Sequence, residues 1–486
     1  LWEKHPEWVD ISQMAHPKTK TARAVATEVL NRFDPRRDYA GPILDKLLNQ
    51  TSERQRATDF VFGSVRNRKV IDIVIEKFSG RLIRRISTEL LNVIRVATYE
   101  LIYSPETPIY SIVNEAVENS KAVGGKKQAG FVNAVLHQIT KHITNRQSEL
   151  KETNLGKTLP QTPTSGCEFN VDLLPDPKTL LAGHLSTCFS LPKWLISEWL
   201  KEFGKDSTHR ICFASNRKPS IYVRPNKLKT SPEKLAKKFH DAGIDYEVAS
   251  SIIGSEKGIK RSSESDISMM KIKGPKAVRD LPGFEEGLFT VQDISAAQPI
   301  QVLKPQPDWK ILDLCAAPGT KTTQLAEYTS DKALIVATDI DSKRLQKVKE
   351  NIARLGLKSI KMVLYERLDK VISETSPFDA VMLDVPCSNT GVLARRVEAR
   401  FRLNQKAMDS LVKTQDELLK RAATLIKPNG KICYSTCSIQ RCENETLIRN
   451  FLSQNLSFRL ESEKRFLPAV DKFDHDGGYT AIIVLK

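Results

Sequence analysis

From about Gly287 onward the chain alternates short, unbroken apolar runs with amphipathic stretches, and no other feature constrains its fold as much. The runs are WKILDL, ALIVATDI, FDAVMLDV and GKICYST. Each is continuously apolar rather than alternating, the condition of a strand buried on both faces of a parallel sheet. Between the runs, residues 342–355 and 405–426 carry helical periodicity. This alternation predicts an α/β, Rossmann-like doubly wound sheet with its ligand at the carboxyl ends of the strands.

Upstream, the period changes. Over residues 21–143, apolar residues fall on helical faces: Val25, Val29 and Phe33; Ile71, Val74, Ile75 and Phe78; Leu90, Leu91, Ile94 and Leu101; Val132, Val135, Leu136 and Ile139. An all-α domain is expected there. Residues 151–178 are rich in Thr, Pro, Gly and Asn without periodicity and read as a linker. Ser220–Asn226 reads as a strand, and Ser231 can cap a helix that has Pro232 in its first turn and Gly243 past its end. Ile244–Ala249 supplies a second strand, so a small α+β (RRM-like) domain is expected. Residues 254–276, Lys- and Ser-rich, read as a loop or a β-excursion. The chain is expected to divide into a tail (1–20), a helical domain (21–143), a linker (144–185), a small α+β subdomain (186–282) and the α/β domain (283–486).

The charge balance bears on partners. Lys and Arg number 75 against 58 Asp and Glu, a net +17, which favours a polyanion through counterion release. No run approaches the roughly 18 apolar residues of a membrane span, and no secretory signal is visible, so a cytoplasmic protein without a membrane partner is expected. The eight cysteines, scattered from Cys167 to Cys442, read as free thiols in a reducing compartment. Cys433, Cys437 and Cys442 lack a CxxC pair, a nearby His and a fourth ligand, so no metal is expected. A monomer is expected.

Ile311–Lys321 (ILDLCAAPGTK) reads as a strand, a tight turn and a helix start, which aims backbone N–H groups at an anionic ligand. Asp339 ends the next apolar run, about 20 residues after Gly319, where an acid can accept hydrogen bonds from ribose hydroxyls. There is no GxGxxG for a dinucleotide, and the turn lacks the first Gly and the GK[ST] of a phosphate loop. A nucleoside carrying a carboxylate fits better, and S-adenosylmethionine is that ligand. Spacing alone leaves open a merely structural turn with Asp339 exposed.

Two cysteines follow two of the expected strands, Cys387 in LDVPCSNTG and Cys437 in YSTCS, at the same sheet edge as the turn. A cysteine beside a strand is ordinarily a small buried hydrophobe, and Cys433 and Cys315 keep that reading. Two in polar turns at one ligand edge point to covalent chemistry. Carbon 5 of a pyrimidine is a poor nucleophile until a thiolate adds to carbon 6, which makes the ring enamine-like; this is nucleophilic catalysis. Asp384 can hold the amino and ring N–H groups of a cytosine, or can simply end its strand. Arg395, Arg396, Arg400 and Arg402, with one acid, Glu398, among them, can hold RNA phosphates or form a solvated helix face. The residues alone do not say which cysteine attacks.

Taken together, GLFTVQDISA, LDLCAAPGTKT, ATDID, LDVPCSNTGVLARR and YSTCSIQRCENE resemble the RsmB/Sun (Fmu) class of RNA 5-methylcytosine methyltransferases over residues 283–486. FVFGSVR, VNEAVENSK and FVNAVL are similar to the NusB-like RNA-binding domain of that class. The resemblance implies 16S rRNA as substrate, Cys437 as the nucleophile and Cys387 as the residue that assists release. It implies that Asp384 contacts the base or the cofactor and Asp339 the ribose. Cys315, Ala316, Ala317, Pro318, Gly319, Thr320 and Lys321 would hold the methionine end, and Glu366 the adenine. The chain departs from the family pattern at Thr320, where a second Gly is usual, at Val397 and Phe401, and in DGGYTA near the end. A non-catalytic ribosome-assembly factor and a nicotinamide oxidoreductase are the competing readings; the cysteine motifs oppose the first and the missing GxGxxG opposes the second.

Overall fold

The computed structural model describes residues 19–249, 269–274 and 277–486. The expected tail lies almost wholly outside these residues, as does most of the loop expected over 254–276. The chain forms two compact units, Leu1–Pro175 and Asp176–Lys486. Among the described residues, no helix is long and apolar enough to cross a membrane.

The first unit is built on the helices Ala22–Arg32, Arg54–Arg66, Arg68–Ser79 and Thr88–Tyr103 and on a long helical stretch, Ile109–His142, which bends at Gly125. The four apolar stripes read from the sequence face its core: Val25, Val29, Ile71, Val74, Ile94, Leu101, Val132 and Leu136 are fully buried or nearly so. Among them the buried Glu100 accepts from Arg23 (Nη2 at 2.8 Å) and Arg56 (2.7 Å), which neutralises a carboxylate that water cannot reach.

The linker expectation needs correction. Ile143–Glu149, Ser165–Phe169 and Thr158–Pro160 form an antiparallel sheet in that order. Arg146 binds the sheet to the end of the Thr88–Tyr103 helix, donating to the carbonyls of Leu101 (2.8 Å) and Ser104 (2.6 Å). Leu159, Cys167 and Phe169 are buried, a period of two carried by strands too short to stand out among turn residues.

In the second unit, helices Leu181–Cys188 and Lys193–Asn216 precede a four-stranded antiparallel sheet ordered Tyr246–Ala249, Met269–Ile272, Ile221–Pro225 and Phe289–Val291. The helix Pro232–Asp241 starts where the sequence places it, with the Ser231 hydroxyl accepting from the Lys234 N–H at 3.3 Å. Leu235 and Phe239 pack it onto Val223, Met270 and Phe289. Phe289–Val291 completes this sheet, so residues just past 283 belong with the small sheet.

The α/β sheet has seven strands: β1 Lys310–Asp313, β2 Leu334–Ala337, β3 Ile360–Met362, β4 Phe378–Asp384, β5 Ile426–Thr436, β6 Phe458–Phe466 and β7 Gly478–Leu485. Their order is β3-β2-β1-β4-β5-β7-β6. The first five run parallel, and β7 is antiparallel to both its neighbours. Buried residues line both faces, with Leu312, Val381, Ile432 and Ile483 on one and Ile311, Met382, Cys433 and Ile482 on the other. Strand order reverses between β1 and β4, so the turns after these strands open side by side at the carboxyl edge.

Candidate active site

After β1 the chain turns through Cys315–Gly319 into the helix Thr320–Tyr328. Gly319 sits at φ +104°, and a Cβ there would lie 3.2 Å from the Cα of Val348, so the position admits little but glycine. No side chain caps this helix, which leaves its first N–H groups to a ligand. Thr320, in place of a second Gly, is the first helical residue and is compatible with the turn. Asp313 is fully buried below the turn, accepting from Thr322 Oγ1 at 2.7 Å, and burial pushes its pKa up to about 7.

Asp339, after β2, is buried and accepts from the Ala317 N–H (3.1 Å) and the Asp341 N–H (3.0 Å). Its carboxylate therefore braces the turn from a position two residues past the end of β2. Beside it Ile340 is 78% exposed, an apolar side chain that sequence reasoning passed over; its position next to the acid was the available signal. Glu366 lies exposed in the short turn Tyr365–Arg367 after β3.

Asp384 ends β4 and takes Lys321, from the helix after β1, at 2.7 Å. Burial acts to lower the Lys321 pKa, but the charge and hydrogen bond of Asp384, with Cys437 and Asp313 adding to them, raise it overall. Lys321 is therefore a fixed ammonium between the turn and the cysteines.

The cysteines meet. Cys387 Sγ and Cys437 Sγ are 2.9 Å apart, Cys387 buried and Cys437 half-buried. The Cys437 thiol also reaches Asn389 Oδ1 at 3.2 Å. Asn389 is left-handed (φ +62°), a conformation Asn tolerates, and its Nδ2 donates to the Cys387 carbonyl at 2.9 Å. The Gly391 N–H donates to the Cys437 carbonyl at 2.9 Å, and a Cβ on Gly391 would stand 2.6 Å from the backbone of Gly477. The Cys387 pKa is raised, first by the hydrogen bond to Cys437, then by burial and by the charges of Cys437 and Glu443. Burial also pushes up Cys315 and Cys433, in keeping with their structural reading.

Two of the four arginines do not face an RNA ligand, which corrects the expectation for Arg395 and Arg400. Arg395 donates to Asp476 (2.6 Å), Asp293 (3.0 Å) and the Ser220 carbonyl (2.8 Å). Arg217 joins the same cluster through Asp476 (2.6 Å) and Asp474 (2.9 Å) and fastens the small domain to the α/β domain. Arg400 is buried and spends its guanidinium on the carbonyls of Val397, Phe189, Ser215 and Leu393 and on Asn216. Both partner sets are distant in sequence, so no local pattern announces them. Arg396 is exposed and Arg402 half-buried.

A mixed seven-stranded sheet of this order, with a glycine turn after β1, acids after β2 and β4 and two apposed cysteines, defines an S-adenosylmethionine-dependent methyltransferase of the RNA-modifying kind. Residues 300–477 match the family model of the 16S rRNA methyltransferase RsmB/F, residues 20–141 that of the NusB family, and residues 191–258 that of the RsmF/B-like ferredoxin-like domain. The probable ribosomal RNA small subunit methyltransferase B of Synechocystis is 31% identical over 91% of this chain and 91% of its own length. The protein of that name in Bacillus subtilis is 27% identical over 95% of each chain. Ribosomal RNA small subunit methyltransferase B from a strain of Escherichia coli is 28% identical over 96% of this chain and all of its own. Among solved structures, PH0851 superposes with a TM-score of 0.70 at 25% identity, covering 96% of this chain and 99% of that one. NSun6 from Pyrococcus horikoshii with SFG shares the fold, at a TM-score of 0.50 and 22% identity over 60% of this chain and 98% of its own. The chain belongs to the RsmB/F family of 16S rRNA methyltransferases.

Proposed function

We propose that this enzyme methylates carbon 5 of a cytosine in 16S rRNA through a covalent cysteine–carbon 6 adduct. The apposition of Cys387 and Cys437 beside the turn after β1 carries the reading. A methyltransferase acting on a nucleophilic nitrogen or oxygen needs no thiol, whereas carbon 5 needs a nucleophile at carbon 6 first.

The residues around the turn after β1 fit the cofactor. The uncapped helix start and Lys321 suit its carboxylate end, Asp339 its ribose, and the exposed Ile340 after β2 and Glu366 in the turn after β3 its adenine. When bound, S-adenosylmethionine supplies the methyl group that carbon 5 takes.

Cys437, as thiolate, adds to carbon 6 of the cytosine. Asp384, oriented by Lys321, accepts from the cytosine amino group or ring N–H and favours protonation at N3, which draws charge from the ring as the C–S bond forms. After methylation the carbon 5 proton passes to a solvent water acting as base, and the electron pair of that C–H bond restores the carbon 5–carbon 6 double bond as the C–S bond breaks to return the Cys437 thiolate. Cys387, whose raised pKa keeps it a thiol, stands against the departing sulfur and assists release. Arg396 and Arg402 hold RNA phosphates near the base. The helical unit adds to RNA affinity.

Bisulfite sequencing of 16S rRNA incubated with S-adenosylmethionine and either wild-type protein or Cys437→Ala tests this. Wild type should protect one class of cytosine and the variant none. Full protection by Cys437→Ala would sink the mechanism.

A further inference from the structure

The residues that follow the two cysteines hold the same buried carboxylate. Ser388 donates to Glu443 from its backbone N–H, 2.8 Å from Oε1, and again from its hydroxyl. The Ser438 hydroxyl donates to Oε2. Gln415 Nε2 lies 3.0 Å from Oε1 and 2.8 Å from the carbonyl of Pro386. Thr390 continues the lattice, its Oγ1 3.0 Å from Ser438 Oγ and accepting from the Ile439 N–H at 3.1 Å. Glu443 is fully buried, and these four donors are all uncharged.

We propose that Glu443 is a positioning residue for the two thiols, one carboxylate fixing the loop of Cys387 and the loop of Cys437 in a single register. The inference rests on the reading that Cys437 attacks and Cys387 assists release. Cys387 and Cys437 come from loops after different strands, β4 and β5, so their contact is not dictated by local chain geometry. Ser388 and Ser438 convert it into a shared anchor. The shape of the lattice matters because misplacement of a reacting group by about 1 Å costs about 100-fold in rate.

The charge has a second effect. An anionic carboxylate among neutral donors opposes a thiolate at Cys387, and it is one of the groups that raise the Cys387 pKa. Glu443 thus helps to keep Cys387 a proton-bearing thiol, leaving the half-buried Cys437 as the nucleophile.

The test uses the full chain, S-adenosylmethionine and 16S rRNA transcribed with 5-fluorocytidine, whose carbon 5 substituent cannot leave as a cation, so the adduct persists. The variants are Glu443→Gln, which keeps the size but loses the charge, and Ser388→Ala/Ser438→Ala, which keeps the carboxylate but removes two donors. Both should bind S-adenosylmethionine and RNA with wild-type affinity and form adduct about 100-fold more slowly. Thiolate ultraviolet absorbance, followed against pH in a Cys437→Ser background, should show Cys387 ionising at lower pH once Glu443→Gln is added. Wild-type adduct rates in both variants, or an unmoved Cys387 titration, would overturn the inference alone. Absence of adduct in wild type would overturn the covalent reading as well.

Discussion

Cys387 Sγ and Cys437 Sγ face each other at 2.9 Å although they stand 50 positions apart in the chain. A disulfide needs its sulfurs at about 2.05 Å and closes only when the side chains already converge. A thiol-specific oxidant such as diamide should therefore join this pair before any other among the eight cysteines, itself being reduced to the hydrazine. Mass spectrometry of the peptides after digestion would show the link, and activity should return with a dithiol reductant. Cross-linking elsewhere first would contradict the described apposition.

Removing one cysteine should not resemble removing the other. With Cys387→Ala the thiol proposed to attack and its Asn389 partner remain, so carbon 6 addition should proceed. Release should lose its proposed assistant. A species of protein plus RNA stable to denaturing gel electrophoresis should accumulate with unmodified 16S rRNA, whereas Cys437→Ala should give none. Adduct from the second variant would reverse the assignment of the two residues.

Asp384 and Lys321 act as one unit in the structure, at 2.7 Å and partly shielded from water. Asp384→Asn leaves Lys321 without its charged partner and removes the acceptor proposed for the cytosine. kcat should fall about 100-fold or more, the range for a positioned acid–base group, and steady-state incorporation of labelled methyl groups would measure it. A near-wild-type kcat would remove Asp384 from the base contact.

The sequence discloses much of this because buried parallel strands leave continuous apolar runs. β1, β2 and β4 fall within WKILDL, ALIVATDI and FDAVMLDV, GKICYST is the carboxyl-terminal part of the longer β5, and the helix Ser342–Leu355 has the bounds its periodicity gives. β6, FRLESEKRF, was not legible: it lies at the sheet edge and buries Phe458 alone, so it carries no continuous apolar run. The cysteines, Asp384 and Asp339 were legible as strand-end residues. Arg395 was misread because its partners, Asp293 and Asp476, come from other parts of the chain, and a run of arginines does not reveal which of them turns inward. Glu443 stood inside a motif already quoted, RCENE, but only the fold shows that its carboxylate reaches Ser388.

The arginines give a contrast experiment. Arg395→Ala strips the cation from the buried Asp293 and one of two cations from the buried Asp476, and loss of one partner from such a cluster costs about 3–5 kcal/mol. Arg396→Ala, at an exposed position, should cost less stability than Arg395→Ala but lower the salt dependence of 16S rRNA binding by about one unit of slope. Denaturant midpoints and binding titrations across salt concentrations separate the two. A slope change from Arg395→Ala without loss of stability would restore it to the RNA surface.

Asp313 makes stability depend on pH in an unusual direction for an aspartate. Burial first of all, reinforced by the nearby charge of Asp384 and opposed by the Thr322 hydroxyl, pushes its pKa up to about 7 from an ordinary 3.8. Between these values the folded chain holds a proton that the unfolded chain releases. The contribution is therefore complete below about pH 3.8 and is lost as pH rises through about 7, amounting to at most about 4 kcal/mol. Asp313→Asn, which cannot ionise, should flatten this part of the profile while keeping an oxygen for the Cys315 N–H. Urea unfolding followed by tryptophan fluorescence, with Trp199 and Trp309 as reporters in the second unit, should show the wild-type midpoint falling from pH 5 to about pH 7 by more than that of the variant. Parallel profiles would mean that Asp313 is already ionised in the folded protein.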